Sequence, residues 1–301
     1  MRGSTALSNR FIDPKILAAG HSLQLIARSV VEGFIAGLHR SPYHGFSLEF
    51  SEYREYSPGD DIRRVDWKVY GRTDRFYVKK FQGDTNTQVF ILLDTSRSMS
   101  LSTDGPSKLD YGRFLAASLA YFSVRQNDAV GLVTFDSEIR QFTPPRTRQG
   151  QLLSLLHHLE AATPQGQTRI GSVLEHMSGQ IRKRSMVVLI SDLYEEASAL
   201  VKAFRYFHHR GNDVIIFHVL DPFELELPLE GISTLEDMET GDQLPFASEQ
   251  SRQAYLAELQ GHLSELRREC RNVRIDHVVM NTGEPLDRAL YQYLSLRSRR
   301  M

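Results

Sequence analysis

Two textures divide the chain. From residue 86 onward, short apolar runs alternate with longer stretches whose apolar positions recur every three or four residues. The runs Gln88–Leu93, Ala129–Phe135, Met186–Ser191, Val214–Leu220 and Val273–Val279 read as strands. Lys108–Arg125, Gln149–Glu160, Ile170–Arg182, Glu195–Arg210, Ser248–Glu269 and Pro285–Leu296 read as helices. Strands that are apolar on both faces need cover on both sides, so this alternation predicts an α/β domain with a doubly wound, mostly parallel sheet. Ligands of such sheets sit at the carboxyl ends of the strands.

The first 85 residues follow another rhythm. Residues 15–39 read as a helix with a broad apolar face that includes Ile26, Val30 and Phe34. Phe46–Tyr56 and Arg75–Phe81 alternate like strands, and Ser57-Pro58-Gly59-Asp60 carries Pro and Gly where a type II turn wants them. The sequence therefore predicts a smaller N-terminal α+β region over 1–85 and the α/β domain over 86–301. Within the latter, Pro222–Gln250 holds eight acidic residues and no Lys or Arg. Glu224, Glu226 and Glu230 alternate there with leucines, and Glu239-Thr240-Gly241-Asp242 reads as a turn between two short strands. Residues 222–247 are thus expected as an exposed acidic β excursion.

Composition narrows the function. Lys plus Arg is 36 and Asp plus Glu is 37, a net charge of −1, which argues against bulk-charge binding of nucleic acid. One cysteine, Cys270, excludes an intramolecular disulfide framework and a Cys-rich zinc site. The longest stretch free of charged residues, Ile16–Ala27, is 12 residues, short of the ~20 a membrane helix needs. The chain reads as cytoplasmic, with no membrane insertion. There is no Gly-x-x-x-x-Gly-Lys-Ser/Thr loop, no Gly-x-Ser-x-Gly elbow and no His-Glu-x-x-His helix, so nothing here reads as an enzyme.

The candidate chemistry lies at strand ends. Asp94, Ser96 and Ser98 are spaced two apart where the first buried strand opens into a loop. Gly166-Gln167-Thr168 precedes a helix, and Ser191-Asp192 ends the third buried strand. Carboxyl ends of parallel strands share one rim, so Asp94, Ser96, Ser98, Thr168 and Asp192 can converge there. All offer hard oxygen, which suits Mg²⁺. The bland alternative is that Thr168 and Asp192 merely cap the helices that follow them.

These residues resemble the von Willebrand factor A (VWA) domain and its metal-ion-dependent adhesion site. The resemblance implies a first metal loop at Asp94, Ser96 and Ser98, a second at Thr168 and a third at Asp192, with a protein partner's carboxylate in the open position. The acid of the third loop is often followed by Gly in that family, and here by Leu193. A second block, Arg54-Glu55-Tyr56-Ser57-Pro58-Gly59-Asp60-Asp61, then Asp66-Trp67 and Val78-Lys79-Lys80-Phe81, is similar to the bacterial family called domain of unknown function fifty-eight. That resemblance implies a MoxR-type AAA+ ATPase, or its client, as partner, and a chaperone-like adaptor role with Mg²⁺ or another divalent cation. The alternatives are a metal-assisted phosphohydrolase using Asp94 and Asp192 and a structural domain with a degenerate site. In the block itself, Trp67 is expected to anchor the small region on the α/β domain.

Overall fold

The computed structural model describes residues 14–15, 22–38, 50–56, 67, 70–71, 75–81, 87–228, 234–238, 241–245 and 248–298. The turn expected at 57–60 falls outside these residues.

The centre of the molecule is a six-stranded sheet. Its strands are β3 (Gln88–Asp94), β4 (Ala129–Phe135), β5 (Ile139–Arg146), β6 (Ser185–Ser191), β7 (Asp213–Leu220) and β10 (Asp276–Asn281), in the order β10-β7-β6-β3-β4-β5. Every pairing is parallel except β4 with β5. Alternate residues of β3 feed two cores, as the two-residue period of a strand requires. Val89, Ile91 and Leu93 pack towards α1 (Leu23–Leu38), α2 (Lys108–Arg125), α3 (Gln151–Ala161) and α8 (Asp287–Ser298). Phe90 and Leu92 pack towards α4 (Ile170–Gln180), α5 (Ala197–His209) and α7 (Glu249–Asn272).

Helix α1 belongs to the first of these cores through Ile26, Ala27, Val30 and Val31, and lies against α2. It is grouped in sequence with the N-terminal region yet contributes to the core of the α/β unit. The strands β1 (Phe50–Glu55) and β2 (Tyr77–Phe81) form a separate antiparallel pair. Trp67 differs from expectation. It is 57% exposed and meets Tyr70 and Phe76 edge-on, in a surface cluster of rings, rather than being buried in an interdomain seam.

The antiparallel edge strand β5 is absent from the pattern-based reading. Its Pro144 and Pro145 fall where the register with β4 shifts between Val130 and Leu132, and such an irregularity at a sheet edge tolerates residues that have no N–H to donate. Its close approach to β4 needs Gly131, since a Cβ there would lie 2.7 Å from the Thr143 carbonyl oxygen and 2.8 Å from the Pro145 nitrogen.

The acidic excursion is partly as expected. β8 (Thr234–Glu236) and β9 (Gln243–Pro245) pair antiparallel, with Glu236 opposite Gln243. Its start is corrected: Pro222–Glu226 is a helical turn, α6, not a strand. Asp221 caps it, accepting from the Phe223 N–H at 2.9 Å, while Glu224 reaches back to the Asp221 N–H at 2.7 Å. This reciprocal capping overrides the Glu-Leu alternation.

Candidate functional site

The chain runs β3-β4-β5 to one edge of the sheet and then returns to β6 on the other side of β3. The switch point therefore lies between β3 and β6, where the strand ends leave a crevice. Leu93 is in register with Ile190, so Asp94 and the Ser191-Asp192 pair emerge side by side.

Asp94 is fully buried, and both its oxygens are held. Oδ1 accepts from the Ser96 N–H at 2.8 Å and Oδ2 from the Ser191 hydroxyl at 2.6 Å. The Ser96 and Ser98 hydroxyls lie 3.1 Å apart. The second loop is laced to the first: the Arg97 N–H donates to the Gly166 carbonyl at 3.1 Å, and the Gln165 N–H donates to the Thr95 carbonyl at 2.8 Å. Gly166 has φ +69°, and a Cβ on it would lie 2.6 Å from Asp136 Oδ2, so no other residue fits without displacement. Thr168 sits half-buried on this loop, just ahead of α4. A cleft of about 190 Å³, lined in part by Thr95, Arg140, His158 and Gln165, adjoins the start of this loop, and none of the five candidate residues lines it.

The capping alternative does not account for these residues. The N-cap of α4 is Arg169 and that of α5 is Glu196, so neither Thr168 nor Asp192 holds a cap position. Leu193 explains how a chain without glycine makes the third loop. It takes φ +54°, the left-handed region, at a cost of about 1–2 kcal/mol, with its side chain fully buried in the α4/α5 core. Its N–H donates to the Ser191 hydroxyl oxygen at 3.0 Å, which fixes the hydroxyl that holds Asp94.

Asp192 is the asymmetric member. Its Oδ2 accepts from the Lys108 ammonium at 2.7 Å, while its Oδ1 is buried with no hydrogen-bond partner among the described residues. Lys108 is itself fully buried. It also donates to Glu224 Oε1 at 2.6 Å and lies 4.9 Å from the centre of the Tyr194 ring. The Tyr194 hydroxyl donates to the same glutamate oxygen at 2.8 Å. Pattern reading missed Lys108 and Glu224. A lysine in the first turn of α2 stands against the helix dipole, and that anomaly was the available signal.

Burial, and then the Asp192 charge, push Asp94 up to about 7, against the hydrogen bonds from Ser191 and Ser96. Burial alone would drive Lys108 down, but Asp192 and Glu224 outweigh it and hold the ammonium above the ordinary lysine value. Burial raises Glu224, with Lys108, Asp221 and Tyr194 acting against the rise; at 2.6 Å the charged pair is the state the geometry favours. Behind the rim, burial and then His277 hold His218 well below the usual histidine range, and burial first of all holds His277 down to about 4, with His218 Nδ1 3.1 Å from His277 Nε2. These rings therefore stay neutral and add no charge to the site.

With Asp94 ionised, three carboxylates face one ammonium and two negative charges are uncompensated in a buried place; with Asp94 protonated, one is. Among the described residues no three His, Cys, Asp or Glu side chains group as a metal site, so hydroxyls would have to complete any ligand set here. The hard oxygens at this rim are those of Asp94, Ser96, Ser98 and Asp192 Oδ1, with Thr168 on the adjoining loop. No helix among the described residues is long and apolar enough to cross a membrane.

Comparison with known proteins agrees with this architecture. An uncharacterized protein of Mycobacterium tuberculosis strain H37Rv is 28% identical over 233 residues, covering 76% of this chain and 73% of its own. The crystal structure of the conserved hypothetical protein BatB from Bacteroides thetaiotaomicron superposes with a TM-score of 0.51 at 20% identity, over 71% of this chain and all of that one. The SpRpn10 VWA domain matches over 70% of this chain and 96% of its own, with 14% identity and a TM-score of 0.40. The BatB likeness bears out the α/β fold, and with residues 52–265 matched by the sequence model of "Protein of unknown function DUF58", the chain belongs to that family.

Proposed function

We propose that this protein is a metal-dependent protein-binding module whose rim at Asp94, Ser96, Ser98, Thr168 and Asp192 holds Mg²⁺ and receives a partner's carboxylate. The observation that carries the reading is the pair of neighbouring buried carboxylates at the switch point, one with an oxygen left without a partner. Groups so placed call for a cation, because burying unpaired charge is costly. Bound there, Mg²⁺ supplies a direct bond to an incoming carboxylate oxygen. The chain's own residues do the rest. Ser191 and the Ser96 N–H fix Asp94, Lys108 fixes one oxygen of Asp192, and the laced loops hold the hydroxyls in place.

The partner follows from the family resemblance: a MoxR-type AAA+ ATPase, or a client delivered to it, with this chain as adaptor in the cytoplasm. Pull-downs in Mg²⁺ and in EDTA test this. Ser96→Ala and Asp192→Ala should lose the partner as EDTA does, and a substitution of His208, at the far end of α5, should not. A partner retained equally in all of them would move docking away from the rim. Turnover of phosphoesters that depends on Mg²⁺ and Asp94 would replace this reading with an enzyme.

A further inference from the structure

We infer that Lys108 is a resident cation that competes with the divalent ion for Asp192, and that Glu224 sets how strongly it competes. The inference rests on the metal-site reading above and concerns what tunes that site.

Three observations point this way. First, the ammonium spans two carboxylates, at 2.7 Å from Asp192 and 2.6 Å from Glu224, all three groups being buried. Charges so close in a shielded place interact far more strongly than at the surface. Second, Lys108 takes only Oδ2 of Asp192 and leaves Oδ1 without a partner. A carboxylate shares its charge between two oxygens, so an ammonium on one makes the other a weaker ligand while fixing its direction. Third, Glu224 is itself firmly positioned, by the Tyr194 hydroxyl at 2.8 Å and the Asp221 N–H at 2.7 Å. It draws part of the ammonium's field away from Asp192 and so restores Asp192 as a ligand.

The balance between Lys108 and Glu224 therefore adjusts divalent affinity without either residue touching the ion. It also ties the rim to α6, the turn from which the acidic excursion departs. The sequence separations, 84 residues to Asp192 and 116 to Glu224, mean that only the folded chain makes this arrangement.

The competition predicts opposite signs for two substitutions. Lys108→Met keeps much of the side-chain volume and removes the positive charge, so Mg²⁺ should bind roughly tenfold more tightly. Glu224→Gln keeps the shape and leaves the ammonium to Asp192 alone, so Mg²⁺ should bind roughly tenfold more weakly. A purely structural role predicts instead that both substitutions loosen the rim and weaken binding. The experiment is calorimetric titration of the full chain with MgCl₂ for wild type, Lys108→Met, Glu224→Gln and Asp94→Ala, with thermal unfolding in EDTA and in Mg²⁺ alongside. Opposite shifts support the inference. Weakening in both variants, or no change in either, overturns it while leaving the metal site standing. If Lys108→Met does not fold in EDTA, Lys108→Gln takes its place: tighter Mg²⁺ binding supports the competition, and weaker or unchanged binding overturns it. Binding that survives unchanged in Asp94→Ala, or no binding to wild type, overturns the metal-site reading and this inference with it.

Discussion

Replacing Asp94 by Asn should stabilise the metal-free protein above neutral pH. In the folded chain the Asp94 carboxyl has a pKa of about 7, against an ordinary value of 3.8, because it is buried and lies beside Asp192. Between those values the folded chain keeps a proton that the unfolded chain releases. The unfolded state thus binds fewer protons, and stability falls as pH rises from about 4 to about 7. The full rise corresponds to on the order of 4 kcal/mol, of which on the order of 3 kcal/mol falls between pH 5 and pH 8. Asparagine has nearly the same shape and no charge. Its Oδ1 can still accept from the Ser96 N–H, and its Nδ2 can donate to the Ser191 oxygen in place of the present contact. One rearranged hydrogen bond costs about 1 kcal/mol. In EDTA the stability of the Asp94→Asn variant relative to wild type should therefore improve by on the order of 3 kcal/mol from pH 5 to pH 8, and exceed wild type at pH 8. Urea unfolding of both chains at the two pH values measures this. In Mg²⁺ at pH 8 the order should reverse, since the ion favours an ionised carboxylate. A difference between the chains that is the same at pH 5 and pH 8 in EDTA would refute the argument, because Asp94 would then carry no buried charge.

Three further outcomes follow from the packing. Deleting residues 229–247 with a short linker should leave a cooperative unfolding transition, whereas extending the deletion to Pro222 should cost about 3–5 kcal/mol, because it strips Glu224 from a buried lysine; chemical denaturation separates the two. Gly131→Ala should destabilise by about 2 kcal/mol or more, since β5 backbone must move to admit the Cβ; the urea midpoint reports it. Gly166→Ala should act more at the rim than on the fold, through the positive φ and the clash with Asp136, and show mainly as weakened Mg²⁺ binding in calorimetry.

The pattern of apolar residues was enough to place the buried strands and their helices, because period and burial are local properties of the chain. It also singled out Asp94, Ser96, Ser98, Thr168 and Asp192, since strand ends of a parallel sheet must share a rim. Where local signals competed, it misled. Glu224-Leu225-Glu226 alternates like a strand, although Asp221-Pro222-Phe223-Glu224 carries the capping-box spacing that wins. Pro144 and Pro145 hid β5, whose place at an edge is a property of the sheet and not of its own residues. Trp67 reads from its residue type as an anchor between the two regions, but its 57% exposure depends on what packs around it. The partners of Asp192 belong wholly to the tertiary structure. Locally, Lys108 is marked only by standing against its helix dipole and Glu224 only by closing a capping box, and neither signal says that the side chain is buried. They become an ion pair only because the first turn of α2 and α6 meet over the switch point, where low polarity turns a distant pairing into one of the strongest interactions at the site.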